Sequence, residues 1–254
     1  MLHIKKHSFD HEIKLYNLAD VHRGHELCDS DFFHRIIDDI RTDPHAFWVS
    51  TGDLGEIALK NSKGNVYESK SPQWELETLV EELTPIASKC LGVVFSNHPK
   101  RIQDVSGLEF DKILCDRLGI DYLGKTGYLA LKVGNGTYFA ILHHGTGGGG
   151  TGNKVNRAKQ LSIQRPGADL YLTGHVHTCI DFPIFQKYID RKRLTVVKVN
   201  SRHQIGGHFI KYDDSYADMM MLEESPVACG VTYLGFCKTG RNSDKSIRCE
   251  TIFP

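Results

Sequence analysis

Five short stretches of this chain end an apolar run on residues that ligate metals. Asp20-Val21-His22 follows residues 13–18, Asp53 follows 46–50, Asn97-His98 follows 91–96, His143-His144 follows 137–142, and His175-Val176-His177 follows 169–173. Packing alone gives a buried strand no reason to finish this way. Ligands of open α/β sheets sit beyond the carboxyl ends of the strands, so five such termini can converge on one crevice. In Asp20-x-His22 and His175-x-His177 the alternate spacing places two side chains on one side of an extended segment. Imidazole, carboxylate and amide oxygen without thiolate suit Mn, Fe, Zn, Co or Ni rather than a structural cysteine–zinc site. Asp20, His22, Asp53, Asn97, His144, His175 and His177 are too many ligands for one tetrahedral ion. They suit two divalent ions sharing a carboxylate, and Asp53, alone at its strand end, is the candidate bridge. Two such ions about 3.5–4 Å apart can clamp a phosphate and stabilise both the attacking and the leaving oxygen.

The elements that must hold these residues read as an α/β alternation. The five apolar runs have strand length. Between them, residues 31–41 place Phe32, Phe33, Ile36, Ile37 and Ile40 on one helical face behind the capping candidates Asp29 and Ser30. Residues 73–90 form a second stripe that Pro85 should kink or split. Helices are also expected over 107–118 and 154–164. After about residue 180 the pattern changes to short strands (182–187, 194–200, 231–236 and 246–252) expected to form a second β layer closing the domain. The joint expectation is a β-sandwich flanked by helices, in a single domain spanning 1–254.

Composition excludes some classes. The 254 residues carry 31 basic and 31 acidic side chains, so no global field draws the chain to nucleic acid or anionic membrane, and any such binding must be local. The seven cysteines are scattered without a CxxC pair. Reduced thiols and a cytoplasmic location follow as expectations. No run approaches about 18 consecutive apolar residues, and no membrane or obligate protein partner is expected.

The ordered series Asp20-Val-His22, Gly52-Asp53, Asn97-His98, His144-Gly145 and Gly174-His175-Val-His177 resembles the signature of the calcineurin-like metallophosphoesterases, and the resemblance spans residues 12–180. It implies a four-layer α-β-β-α sandwich, two mixed sheets flanked by helices, and a hydrolase of phosphodiesters or phosphomonoesters. One metal would be held by Asp20, His22, Asp53 and His177, and the other by Asp53, Asn97, His144 and His175, with manganese the leading candidate. A hydroxide bridging them would attack phosphorus in line, while His98 stabilises the phosphate or protonates the leaving oxygen. The stretch Leu-Ala-Asp-Val-His-Arg-Gly-His, the Tyr67-Glu68 segment and the glycines after His144 look most like compact phosphoesterases of phages and prophages, related to the DNA-repair exonuclease branch. A nucleic-acid or nucleotide substrate is one refinement. The competing class is a non-catalytic metal-binding scaffold of the same fold.

Two positions depart from that pattern. Pro99 follows His98 where the family usually has an acid that orients the histidine, so Asp104 or Glu109 must substitute or His98 works in a looser pose. Glu56 stands where Asp or Asn is more usual and is expected behind the ligands. His143 and His144 compete for one ligand role, and the resemblance favours His144. His143 is otherwise a substrate-binding candidate, as are Arg23 and Arg101, whose guanidinium groups could grip a phosphate oxygen. The pair His203 and His208 could edge the site. The glycine run from Gly145 lacks the Gly-Lys-Ser/Thr ending of a phosphate loop and reads as a rim of the site. The basic stretch from Lys187 to Lys198 reads first as a solvated strand face, with phosphate-backbone tracking as the minority reading.

Overall fold

The stripe at 31–41 folds as expected. Helix α1 (Ser30–Thr42) buries Phe32, Phe33, Ile36, Ile37 and Ile40, and the Asp29 carboxylate accepts the Phe32 N–H at 3.1 Å. Removing each such side chain from water contributes about 1.5–3 kcal/mol. The chain seen in this computed structural model is described for residues 4–60, 62, 69–147, 150–212, 224–237 and 245–254. Tyr67-Glu68 and Gly148-Gly149 lie outside the described residues. Helix α2 (Pro72–Leu83) starts on a Ser71 cap with Pro72 in its first turn, and gives way at Pro85 to a 3-10 turn, Thr84–Lys89. Pro85 lacks the N–H that an α-helix would need there.

The stretch after Asn97 differs from expectation. The helix expected over 107–118 is α4 (Phe110–Leu118), and it is preceded by a helix that was not expected, α3 (Asn97–Ser106), the two separated by Gly107 in the left-handed region. Pro99 falls in the first turn of α3, where its missing N–H costs nothing. Helix α5 (Thr151–Gln164) completes the set.

Among the described residues the strands form one mixed sheet of eleven. One half holds β2 (Ile13–Ala19), β3 (Ala46–Gly52) and β4 (Cys90–Val93), mutually parallel. The other holds β1 (Lys5–Phe9), β5 (Gly127–Val133), β6 (Gly136–Leu142) and β7 (Leu170–Thr173), where β7 runs parallel to β6. Neither β1 nor β5 was expected. β8 (Cys179–Asp190) and β9 (Thr195–His208) form a long hairpin, and β10 (Ala228–Leu234) pairs with β11 (Ile247–Ile252).

The expected separate C-terminal β layer is revised. β10 lies antiparallel beside β2, β9 lies parallel beside β7, and β9 meets β10 at His208–Ala228, so these strands stitch the halves together. Each supplies hydrogen-bond partners to a strand edge that would otherwise stay open. Between the halves, Leu15, Val49 and Leu91 share a core with Leu131, Tyr138 and Leu172. On the outer faces α1, α2 and α4 cover β2 and β3, and Leu161 of α5 packs on Ile141 and Tyr171. No helix among the described residues is long and apolar enough to cross a membrane.

Candidate metal centre

All five strand ends do meet. Immediately beyond β2, β3 and β7 the backbone turns into the left-handed region at Asp20 (φ 51°), His22 (51°), Asp53 (52°), His175 (74°) and His177 (46°). Each such residue costs about 1–2 kcal/mol when it is not glycine. Strain concentrated on five candidate ligands points to function rather than folding. The turns fit because the flanking glycines permit close approach. A Cβ on Gly52 would stand 2.4 Å from that of Ser96, and one on Gly174 would stand 2.7 Å from an Asp20 carboxylate oxygen.

The residues gather as two groups. Asp20, His22 and His177 form one, with His22 Nε2 3.0 Å from His177 Nε2 and 3.9 Å from Asp20 Oδ1. Asp53, His144 and His175 form the other, with His144 Nε2 3.2 Å from Asp53 Oδ2 and 3.2 Å from His175 Nδ1. Asn97 Oδ1 lies against His144 Nε2 and 2.9 Å from His175 Nδ1. The groups are tied by Asp20 Oδ2, which accepts the His175 backbone N–H at 2.6 Å, and by the Asp53 carbonyl, which accepts the His22 N–H at 3.0 Å.

The donor set fits cations on two counts. Asp20 Oδ1 is buried among these groups with no hydrogen-bond partner, an expensive arrangement unless a positive charge faces it. The second count is tautomeric. The Glu56 carboxylate, 2.7 Å from His22 Nδ1, and the Thr51 carbonyl, 2.8 Å from His144 Nδ1, hold the ring protons on the outer nitrogens. Both Nε2 atoms then present lone pairs inward. His144 Nε2 faces the oxygens of Asp53 and Asn97, acceptor against acceptor, and a cation resolves that.

Electrostatics agree. Burial pushes Asp20 up to about 7. Burial also pushes Asp53 up, but His144, His98 and His22 together outweigh it and hold the carboxyl well below its usual range. Burial pulls His144 down, yet Asp53 raises it to about 9, so in metal-free protein a proton does the work of a cation. Burial lowers His175 to about 4 and His177 well below 6.5. Neutral imidazoles are ready ligands.

His98 enters from the first turn of α3. Its backbone N–H donates to Asp53 Oδ1 at 3.0 Å. Its Nδ1 lies 2.9 Å from the Glu56 carbonyl and 3.2 Å from Glu56 Oε2. Glu56 therefore gives His98 a carboxylate neighbour that Pro99, next in sequence, cannot supply, and it contacts His22 with the same oxygen. The alternatives Asp104 and Glu109 are excluded, since Asp104 pairs with Lys100 and Glu109 with Gln103. Burial lowers the His98 pKa, but Glu56 and Asp53 outweigh it and the net shift is upward.

The substrate-binding candidates separate. Arg101 sits in the site, donating to Glu56 Oε1 at 3.0 Å and contacting His98 Nε2 at 2.9 Å. Arg23 does not. Its guanidinium is held by Glu82 at 2.7–3.1 Å and by Ser30, and lies over the Trp74 ring. Glu82 was invisible as its partner because it lies 59 residues away. His143 turns aside, its Nδ1 accepting the Gly145 N–H at 2.8 Å. His208 stacks on His177 at 5.2 Å and so edges the site, whereas His203 is buried between Tyr171 and Phe182.

Three supports had no sequence signal. Asp111 on α4 accepts from the Ser96 N–H at 3.1 Å and hydroxyl at 3.0 Å, fixing the residue before Asn97. The Thr51 carbonyl positions His144. Glu75 on α2, fully buried, accepts the Ile57 N–H at 2.9 Å and so anchors the loop that carries Glu56.

No protein-family model and no curated protein matches the chain. Among solved structures it is similar to wild-type Vps29 complexed with zinc from Entamoeba histolytica (14% identity over 94% of this chain and 98% of that one, TM-score 0.41). It is also similar to GAP50 of Plasmodium, described as the anchor in the inner membrane complex (12%, 93% and 88%, TM-score 0.42). A third is a predicted phosphoesterase from Streptococcus pneumoniae (11%, 88% and 82%, TM-score 0.36). Overlaps this loose carry no weight for family or activity. The chain is a mixed α/β protein whose strand ends bring together groups of His, Asp and Glu that could hold metal ions.

Proposed function

We propose that this chain is a calcineurin-like metallophosphoesterase, hydrolysing a phosphodiester or phosphomonoester at a dinuclear centre. What carries the reading is the convergence of Asp20, His22 and His177 as one group and Asp53, Asn97, His144 and His175 as the other, and in this reading the Asp53 carboxylate is the one the two ions would share. The strand-to-strand core and the helices outside both halves support the four-layer α-β-β-α arrangement in one domain of residues 1–254. The phage-type subgroup, the exonuclease kinship, manganese as native metal, a nucleic-acid or nucleotide substrate and a cytoplasmic location belong to the same proposal.

When bound, two divalent cations supply Lewis acidity and lower the pKa of water. The residues of the chain do the rest. Glu56 fixes His22 in the tautomer that turns Nε2 inward, and Thr51 does so for His144. His98, held through Nδ1, keeps Nε2 free of carboxylate contact closer than 3.9 Å. That nitrogen lies 2.9 Å from Arg101 and accepts its N–H, so the two side chains can together hold a phosphate oxygen, and His98 passes a proton to the departing alcohol from its imidazolium form, with Arg101 turned to the phosphate. The Glu56 carboxylate beside His98 favours this reading over the non-catalytic metal-binding scaffold.

The test is hydrolysis of bis(p-nitrophenyl) phosphate and p-nitrophenyl phosphate by chelator-stripped protein, with and without Mn²⁺. Metal-dependent turnover is expected, reduced by about a thousandfold in Asp53→Asn. Two metals bound per chain without turnover would establish the scaffold instead.

A further inference from the structure

The hairpin of β8 and β9 is longer than the sheet needs. β9 pairs with β7 only over Arg202–Ile205, and beyond that Ser201 Oγ donates to the Ala168 carbonyl while Gln186 bonds Gly167 and Ser162, so Thr195–Lys198 and the paired Lys187–Asp190 overhang by about 13 Å. Between Phe185 and Arg202 lie five basic residues and one acid, in a chain whose net charge is zero. Successive rungs on one face are Phe185–Asn200, Lys187–Lys198 and Ile189–Val196. Directly opposed like charges destabilise a hairpin. Even so, neither lysine has an ion pair among the described residues, and packing gives no reason for the rung. Phe185 is 76% exposed and Ile189 72%, one on either side of Lys187.

From this geometry we infer that the overhanging ribbon is a docking surface for single-stranded nucleic acid. The paired lysines supply the charge a phosphate backbone complements, and Phe185 supplies a platform on which a base stacks. A bilayer fits less well. The turn at the tip carries Arg191, Lys192 and Arg193, which insertion would have to desolvate, while the apolar side chains lie behind them. The inference goes beyond the phosphoesterase reading and does not depend on it.

Fluorescence anisotropy tests it, using the full chain and a labelled mixed-sequence single-stranded oligonucleotide without added divalent metal, the oligonucleotide being recovered intact. Binding should weaken steeply with salt, and its log–log slope should fall by roughly one for each lysine removed in Lys187→Ala/Lys198→Ala. Phe185→Ala should weaken binding by about tenfold at unchanged slope. All three side chains are exposed, so circular dichroism should be unaltered. Absence of binding, affinity and slope unchanged in the lysine variant, or binding confined to phosphatidylserine vesicles would each overturn the inference. No turnover is measured, so failure here leaves the Asp53→Asn test intact, and the reverse holds.

Discussion

The two ends of the β8–β9 hairpin are built on opposite terms. Its root follows His177 directly, and there the backbone is strained at five residues, the carboxylates are buried, and nearly every ring nitrogen is fixed by a neighbour. Its far end is regular antiparallel ladder, with Leu194 the one non-glycine residue at positive φ, in the turn. There the charges and apolar groups face water. At the root, strain and desolvation are tolerated because surrounding packing over-determines the geometry, and a small bound group can relieve both. At the tip only Leu194 departs from relaxed backbone, and the larger unfavourable element is charge repulsion and exposed apolar surface, which a large partner can relieve. Two kinds of local cost thus point to two kinds of ligand.

The sharpest way to break that contrast is at Glu56. Glu56→Gln should lower turnover of the small nitrophenyl esters by about a hundredfold, as expected when a carboxylate bracing a ligand imidazole is lost. The ribbon variant Lys187→Ala/Lys198→Ala should leave that turnover as in wild type. Equal loss in both would mean the two ends are not independent.

The next effect is in stability and comes from Glu75. Burial raises its carboxyl to about 8 from an ordinary 4.5, so the folded chain holds a proton that the unfolded chain releases. Stability from this group is full below about pH 4.5, is lost as pH rises towards 8, and is flat above. Glu75→Gln keeps the acceptor for the Ile57 N–H and removes the charge. Urea unfolding should show the variant more stable by about 4 kcal/mol at pH 8 and little different at pH 4.5. A gain of the same size at both pH values would refute the cause.

The smallest effect tests the strain itself. At His177, where φ is 46°, the Gly variant should be about 1 kcal/mol more stable than the Ala variant. At Asn200, in the extended ladder of the ribbon, the order should reverse. Equal stability of the two His177 variants in denaturant titration would remove backbone strain from the description of the site.

Much of this was legible in the chain. The D-x-H and H-x-H pairs, each after an apolar run, located the candidate ligands because strand ends face a common crevice, although the extended backbone expected at these pairs is instead left-handed at Asp20, His22, His175 and His177. The helix at 31–41 and the break at Pro85 follow from local periodicity and from the missing proline N–H. β1 and β5 were not legible, since β1 is an edge strand only partly buried and shows little apolar contrast. Arg23 misled because its neighbours in sequence are ligands while its partner Glu82 comes from another helix.

By itself the sequence determined which atoms could bind metal, because donor chemistry resides in the side chain, whereas the left-handed turns that carry the i, i+2 pairs lie beyond the strands and belong to the fold. Only the tertiary structure decided that Glu56 reaches both His22 and His98, that Asp111 and Glu75 steady the loops beneath, and that β9 and β10 join the halves. Those contacts link residues distant along the chain through hydrogen bonds that take effect only once burial has excluded water, and no local pattern of residue types encodes them.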